Sequence, residues 1–399
     1  MRLNKQKNKV LIIVQNLPVP FDRRVWLEAQ TLTEAGYLVS VISPKGKKDS
    51  KYEFLKGVHI YRYRVPVNAE GLLGYLFEFV YCWCMTAFLS LKVLIKNGFD
   101  IIHACNPPET YFLLAKFYKL FGKKFVFDHH DLSPEMYLAK FPEKKGGLVY
   151  RVLLFLERQT MKTADVVVTT NESHREIAMK RAGADNERIF IVRTGPDFER
   201  LQMKPNKPEL KNGKKHMVCY LGEMCPQDGV DYLIDSIDYM INDLQANDTQ
   251  FVMIGGGPAL QMLKEKTSEM GLNSHAKFTG RVSDEVLCEY LSNADVCVDP
   301  DPWTEWSDKS TMNKIMEYMA FKKPIVAFDL KENRFSASDA AIYTEPNDIK
   351  KFAENIVELL KDEKRRKSIG KFGFERVQNK LLWKYSKPVL IDAYRSLFR

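Results

Sequence analysis

Ser307-Asp308-Lys309-Ser310-Thr311-Met312-Asn313-Lys314-Ile315-Met316-Glu317-Tyr318-Met319-Ala320 is the stretch on which the reading of this chain turns. An apolar strand, Val296-Cys297-Val298, precedes it, followed by a turn built on Pro300 and Pro302. Ser310 or Thr311 has the side chain of an N-cap, and residues 312–320 have the composition of a helix. A helix start offers free backbone N–H groups and the positive end of a dipole, which together suit a phosphate. Glu317 lies almost two turns in, where a carboxylate can accept hydrogen bonds from two neighbouring hydroxyls such as those of a ribose. An ordinary capped helix with one glutamate at its buried edge has the same spacing.

Outward from that stretch, the second half of the chain alternates strand and helix. Residues 217–221 read as a strand, 222–229 as a glycine-bounded loop and 230–240 as a helix. A strand at 250–254 leads to Gly255-Gly256-Gly257-Pro258, and one at 276–279 leads to Gly280-Arg281-Val282, with a helix over 283–292. The first half has the same grammar. Its first strand is 9–14, followed by the loop 15–24, a helix over 25–35 stopped at Gly36, and a strand at 39–43. Further strands are expected at 100–104, 124–128, 164–170 and 189–192, with a polar linker at 204–215. The pattern predicts an α/β chain of two Rossmann-like, doubly wound domains facing a central cleft. Their bounds are 1–200 and 201–375, followed by a C-terminal helix over 376–399.

The chain has 399 residues, 45% of them apolar and 28% charged, enough for two globular domains. Seven cysteines without paired spacing point to a reducing, cytoplasmic setting, and no C-x-x-C pair suggests a zinc cage. The basic N-terminus is followed by an apolar run of only residues 10–14, too short for a signal peptide. The net charge of +9 favours anionic partners. Nucleic acid is not expected among them, because the basic residues are scattered and no base-reading motif is present.

Residues 72–95 carry only Glu78 and Lys92 as charges and nearly match the length of a bilayer span. A charge near each end and the α/β context favour one helix with a broad apolar surface, part packed on a sheet and part available to a membrane interface. Lys140, Lys144, Lys145, Arg151 and Arg158 follow and can meet anionic lipid heads, or serve simply as solvated surface.

Polar side chains gather at the expected strand ends. Asp22 and Arg23 sit in the first loop beside Arg24, facing an acceptor or a phosphate, or simply opening a helix. Asn106 follows the strand at 100–104. Asp128-His129-His130-Asp131-Leu132-Ser133-Pro134-Glu135 places two histidines and three carboxylates at the end of another. Adjacent histidines point in different directions and lack i, i+4 spacing, so no metal is expected there.

Strand, phosphate-facing loop, Asn-Lys-x-x-Glu-Tyr-Met-Ala, then Lys323-Pro324-Ile325-Val326-Ala327 resembles the donor-binding helix of retaining glycosyltransferases of family 4, which have the two-domain GT-B fold. Pro20-Phe21-Asp22-Arg23-Arg24-Val25 is similar to the branch that builds surface polysaccharides or lipid-linked glycans. The resemblance implies a nucleotide-sugar donor (a UDP-sugar first), a lipid-linked or glycan acceptor, retention of configuration and no metal or other cofactor. It also implies that the helix over 376–399 crosses back to the first domain. It assigns the ribose to Glu317 and the approach to the donor sugar to His130, with Asp131 and Lys314 beside the chemistry. It assigns Gly222, Gly256, Arg281, Val282, Asp308, Lys309, Ser310, Thr311, Met312 and Asn313 to donor binding, and Asp22, Arg23, Asn106 and Glu135 to the acceptor.

Two departures stand out. The family's earlier glutamate, eight places before Glu317, is Lys309 here, and Asp308 is one place off register. The loop 222–229 has no cation where the family has Arg and Lys, which leaves Lys314, Lys309, the helix start and, from the first half, Arg193 to answer a diphosphate. Asp299-Pro300-Asp301 matches a D-x-D metal motif superficially and reads as a structural turn. A nucleotide-sugar epimerase, a glycan phosphorylase and a non-catalytic nucleotide-sugar scaffold at a membrane are the alternatives. The protein is expected at the inner face of the cell membrane as a peripheral protein.

Overall fold

The computed structural model describes residues 8–66 and 71–399, and the side chains from 71 onward except those at 71–73 and 75. Most of the basic N-terminus, and the first side chains of the apolar run, therefore lie outside what is described. The chain packs into two compact units. Unit 1 comprises the described residues up to Pro134, Glu143–Thr194 and Lys384–Arg399, and unit 2 comprises Glu135–Pro142 and Gly195–Trp383. The expected boundaries at 200 and 375 thus lie at 194/195 and 383/384 in the packing of the chain.

In chain order the elements up to residue 191 are β1 Lys9–Ile13, α1 Arg23–Glu34, β2 Leu38–Pro44, β3 Tyr52–Leu55, β4 Val58–Tyr63, α2 Gly71–Lys96, β5 Ile101–Cys105, α3 Phe112–Lys119, β6 Lys124–His129, α4 Ser133–Lys140, α5 Leu148–Thr163, β7 Val166–Thr169, α6 Glu172–Ala182 and β8 Ile189–Ile191. The eight strands form one sheet in the order β3-β4-β2-β1-β5-β6-β7-β8, parallel except for β3. Valine and isoleucine runs such as Val10-Leu11-Ile12-Ile13 are buried on both faces, as a sheet covered by helices on both sides requires. The β3–β4 hairpin was not expected from periodicity. It turns on Lys56 and Gly57, both at positive φ (47° and 84°), the conformation of a tight type I′ turn.

The remaining elements are β9 His216–Leu221, α7 Val230–Asn242, β10 Thr249–Ile254, α8 Leu260–Glu269, β11 Ala276–Gly280, α9 Asp284–Asn293, β12 Val296–Asp299, α10 Glu305–Lys309, α11 Asn313–Ala320, β13 Ile325–Phe328, α12 Lys331–Ala337, β14 Ala341–Thr344, α13 Ile349–Lys361, α14 Glu363–Arg376 and α15 Trp383–Ser396. The second sheet is fully parallel, in the order β11-β10-β9-β12-β13-β14. Strand order reverses between β1 and β5 in the first sheet and between β9 and β12 in the second, the places where ligands collect at strand ends in such folds.

Two expectations change. The stretch 204–215 is no free linker but part of unit 2. Its backbone and lysines find partners along α9 and beyond: Lys204 N donates to Ser292 Oγ at 2.8 Å, Lys207 N to Asn293 Oδ1 at 2.6 Å, and Lys211 Nζ to Asp295 Oδ2 at 2.8 Å. The apolar run at 72–95 is one helix, α2, and Leu76–Lys96 is long and apolar enough to cross a membrane by length and composition. It nevertheless lies along sheet 1, burying Cys82, Thr86, Leu89, Ser90 and Val93.

Candidate active site

At the C-terminal ends of β1, β5 and β6, the side chain that organises unit 1 is Arg24. Asp22 caps α1, its Oδ1 accepting from Val25 N at 3.1 Å, and so turns Arg24 into the interior and leaves Arg23 exposed. The Arg24 guanidinium grips Asp128 with two bonds, Nε to Oδ2 at 2.8 Å and Nη2 to Oδ1 at 2.6 Å. Its Nη1 donates to Val192 O at 2.7 Å and Thr194 Oγ1 at 2.9 Å, and Glu28 lies 3.2 Å from Nη2. Burial alone would raise the Asp128 carboxyl, but the Arg24 charge outweighs it and holds that carboxyl well below the usual range.

Asp128 in turn bonds His130, Oδ2 to Nδ1 at 2.9 Å, leaving an imidazole whose side chain is 18% exposed. Burial pushes the His130 imidazolium down, and Asp128 more than restores it, so the ring titrates above its ordinary value. His129 points elsewhere: it is buried, with Nε2 3.0 Å from Glu157. Asn106 is buried and fully engaged. Its Oδ1 accepts from the backbone of His130 and Asp131, and its Nδ2 donates to Glu109 and to Asp131 O. These bonds brace the 129–131 loop. Asp131 accepts the Leu132 N–H at 2.9 Å, and Glu135 is buried in the first turn of α4.

Behind this set, Glu28, His103, Cys105 and Asp128 bring four possible metal-ligand atoms within 4.8 Å of one another. The Arg24 guanidinium already answers the negative charge there, and burial pushes the Cys105 thiol well up, away from the thiolate a metal takes. His103 bridges Glu28 (Nε2 to Oε2, 3.4 Å) and Tyr394 of α15 (Nδ1 to the hydroxyl, 2.7 Å). Burial, then the nearby Asp128 charge, pushes Glu28 up to about 7. A carboxyl raised on folding takes up a proton on folding, so its contribution is fully favourable below its ordinary value and is lost as pH rises through about 7. Glu28→Gln is therefore expected to match wild type near pH 5 and to exceed it by roughly 2 kcal/mol near pH 8 in urea unfolding. Equal stabilities at the higher pH would mean that Glu28 ionises in its buried site at no cost.

In unit 2 three loops converge. Gly255 (φ 140°) passes so close to the 222–224 segment that an added Cβ would sit 1.8 Å from Gly222 O, and one at Gly229 (φ 66°) would sit 2.0 Å from Pro300 O. Met224 N donates to Gly256 O at 3.0 Å, tying the loops together. Arg281 is exposed, 3.6 Å from Glu223, and Val282 is half-buried against the core.

The helix start differs from the expectation. Thr304, not Ser310 or Thr311, provides the capped start here, and it belongs to the short helix α10. Ser310 is the C-cap of α10, its Oγ donating to Trp306 O at 2.6 Å. The residue before α11 is Met312, which offers no side-chain cap to the first-turn amides. Asp308 accepts from Lys331 N at 2.8 Å, Lys309 lies 3.6 Å from Glu305, Asn313 is exposed and Thr311 half-buried. Lys314 is enclosed: its Nζ lies 2.8 Å from Asp299 Oδ1, 2.6 Å from Asp301 Oδ1 and 4.9 Å from the centre of the Tyr220 ring. The Asp-Pro-Asp turn is thus the anionic seat of a lysine. Glu317 is nearly buried and accepts a short hydrogen bond from Arg200 Nη2, while Arg200 Nη1 reaches Asp284 at 2.8 Å.

Sequence reading had no signal for Arg200, which comes from a segment 117 residues before Glu317. Arg24 was legible only as one of three polar residues in a loop. The i, i+4 pairing of Arg24 with Glu28 on α1 was the available clue.

Residues 22–200 match the family model described as Glycosyltransferase Family 4, and residues 215–362 the one described as Glycosyl transferases group 1. An uncharacterized glycosyltransferase of Methanocaldococcus jannaschii is 30% identical over 63% of this chain and 72% of its own. The UDP-Gal:α-D-GlcNAc-diphosphoundecaprenol α-1,3-galactosyltransferase of Escherichia coli is 25% identical over 70% and 71%. The solved structure of sucrose-phosphate synthase from Thermosynechococcus elongatus superposes with a TM-score of 0.80 at 19% identity, over 98% of this chain and 99% of that one. The two doubly wound units with parallel sheets are those of the GT-B fold, and the chain belongs to the glycosyltransferases of the group 1 and family 4 kind.

Proposed function

We propose that this glycosyltransferase moves a hexosyl group from a nucleotide diphosphate sugar, a UDP-sugar first, to a hydroxyl of a lipid-linked or polysaccharide acceptor, with retention of configuration. The observation that carries the reading is α11. The residue before it, Met312, offers no side-chain cap, and Glu317 follows in its second turn, nearly buried and held by Arg200. A diphosphate at that start meets the N-terminal amides and the helix dipole, and a ribose meets an oriented carboxylate. The E. coli relative is named for a UDP-sugar donor and a lipid diphosphate acceptor, which supports the choice of partners.

In a front-face displacement, negative charge builds on the leaving phosphate, and donors already aimed at it supply most of the rate. Lys314 is committed to Asp299 and Asp301, Lys309 lies beside Glu305, and residues 223–228 bring no cation, which favours the helix start for that role. His130, held by Asp128, is the unit 1 group for the transferred sugar. No metal or cofactor is called on, and the protein works peripherally at the cytoplasmic face of the cell membrane. Lys309 and the cation-free loop would also suit a non-catalytic scaffold. That reading and an epimerase are not favoured, because the matched relatives are named transferases.

The test is calorimetry of wild type and Glu317→Ala against uridine-, guanosine- and adenosine-diphosphate sugars. With the binding donor, proton NMR then reads the anomeric configuration of the product. Loss of two hydrogen bonds to a charged acceptor, about 1.5–3 kcal/mol each, should weaken binding roughly a hundredfold or more. Unchanged affinity in the variant sinks the ribose assignment, and an inverted product sinks retention.

A further inference from the structure

Three helices of unit 1 leave apolar stripes uncovered. On α2, Phe77, Val80, Phe88, Leu91 and Ile95 recur at helical spacing opposite the buried face, and Ile95 is 85% exposed. On α3 and the two residues that follow it the outward residues are Leu113, Phe117, Leu120 and Phe121, with Leu120 82% exposed. On α5 they are Leu148, Val149, Val152 and Phe155, with Leu148 78% exposed. The stripes share one side of the sheet. The connections β4-α2-β5, β5-α3-β6 and β6-α5-β7 all step the same way along the strand order, so right-handed crossovers put the three helices on one face. Neighbouring helices are tied together, Ser90 of α2 to the Tyr118 hydroxyl of α3 at 2.8 Å and Thr160 of α5 to the carbonyl of Glu109 just before α3 at 2.6 Å. From residue 76 to residue 95 the α2 stripe alone is roughly 28 Å long. An exposed apolar surface of this extent marks an interaction site rather than scattered surface hydrophobes.

Charge decides the partner. Among the described residues, the exposed charges on these helices are Lys92, Lys96, Lys116, Arg151, Arg158 and Lys162, all cationic. The two acids lie inward: Glu78 is half-buried, and Glu157 is buried and paired with His129 and Arg181. A second copy of this chain would bring the same positive charge to the same face. Fluid hydrocarbon beneath a layer of negative head groups answers both the apolar stripes and the cationic rim.

We infer that α2, α3 and α5 form one platform that docks on an anionic phospholipid bilayer, α2 lying in the interface rather than crossing it. The platform rests on the peripheral membrane location proposed above and not on the donor site.

The experiment is flotation of the full-length protein with vesicles of phosphatidylcholine and phosphatidylglycerol, against phosphatidylcholine alone. Wild type should float with the anionic vesicles and lose binding as salt rises. Ile95→Glu with Leu120→Glu should abolish flotation. Lys116→Gln and Arg151→Gln should each cost about fivefold in vesicle affinity. These side chains are exposed, so circular dichroism and donor calorimetry should match wild type in every variant. Failure of wild type to float overturns the platform, as does full binding by the double variant. So does a dimer in light scattering that the double variant converts to monomer without changing flotation. Loss of donor binding in wild type would count against the donor site alone.

Discussion

Arg24→Met is expected to destabilise the chain by about 3–5 kcal/mol, the cost of leaving a buried carboxylate without its cation. Arg24 is buried and answers both Asp128 and Glu28, and it also closes on the backbone at Val192. Lysine cannot reproduce the two-pronged grip, so Arg24→Lys should recover little. The pH dependence should change sign. In wild type the depressed Asp128 carboxyl contributes stability that is present above its ordinary value and is lost as pH falls through its folded value. Without Arg24 burial dominates, the carboxyl is raised, and stability is lost as pH rises instead. Urea unfolding across pH reads both effects. Arg24→Met with Asp128→Asn should regain much of the loss, because no buried charge is then unpaired. A single-variant loss below about 1 kcal/mol would be the value of an exposed pair and would contradict the burial. Because Asp128 orients His130, the double variant should fold and still turn over slowly.

Lys314→Met should cost a similar amount, about 3–5 kcal/mol near neutral pH. It strands Asp299 and Asp301, both buried, and burial with the Asp299 charge already pushes the Asp301 carboxyl well up. Protonation relieves stranded carboxylates, so the deficit should shrink as pH falls. Lys314→Met with Asp301→Asn separates support from contact. If the pair restores both stability and donor affinity, Lys314 acts by holding the 299–301 turn. Restored stability without donor affinity would return Lys314 to the phosphate. A single variant as stable as wild type would contradict the enclosed geometry.

The alternation of buried β-branched runs with helices was enough to read two doubly wound units, because parallel strands covered on both faces are apolar throughout. Helix α11 and the loop glycines were likewise legible, since each is local in the chain. The β3–β4 hairpin was not, because its turn depends on Lys56 adopting positive φ without a composition signal. The cap was misplaced at Ser310 because propensity does not show that residues 305–309 form a helix of their own. What only the tertiary structure decided is which charges meet. Arg24 with Asp128, Arg200 with Glu317, and Lys314 with the Asp299–Asp301 turn are pairings across 104, 117, and 15 and 13 residues. A buried ion pair is selected by the desolvation its partners share, and that depends on where the strands end in space rather than on any spacing along the chain.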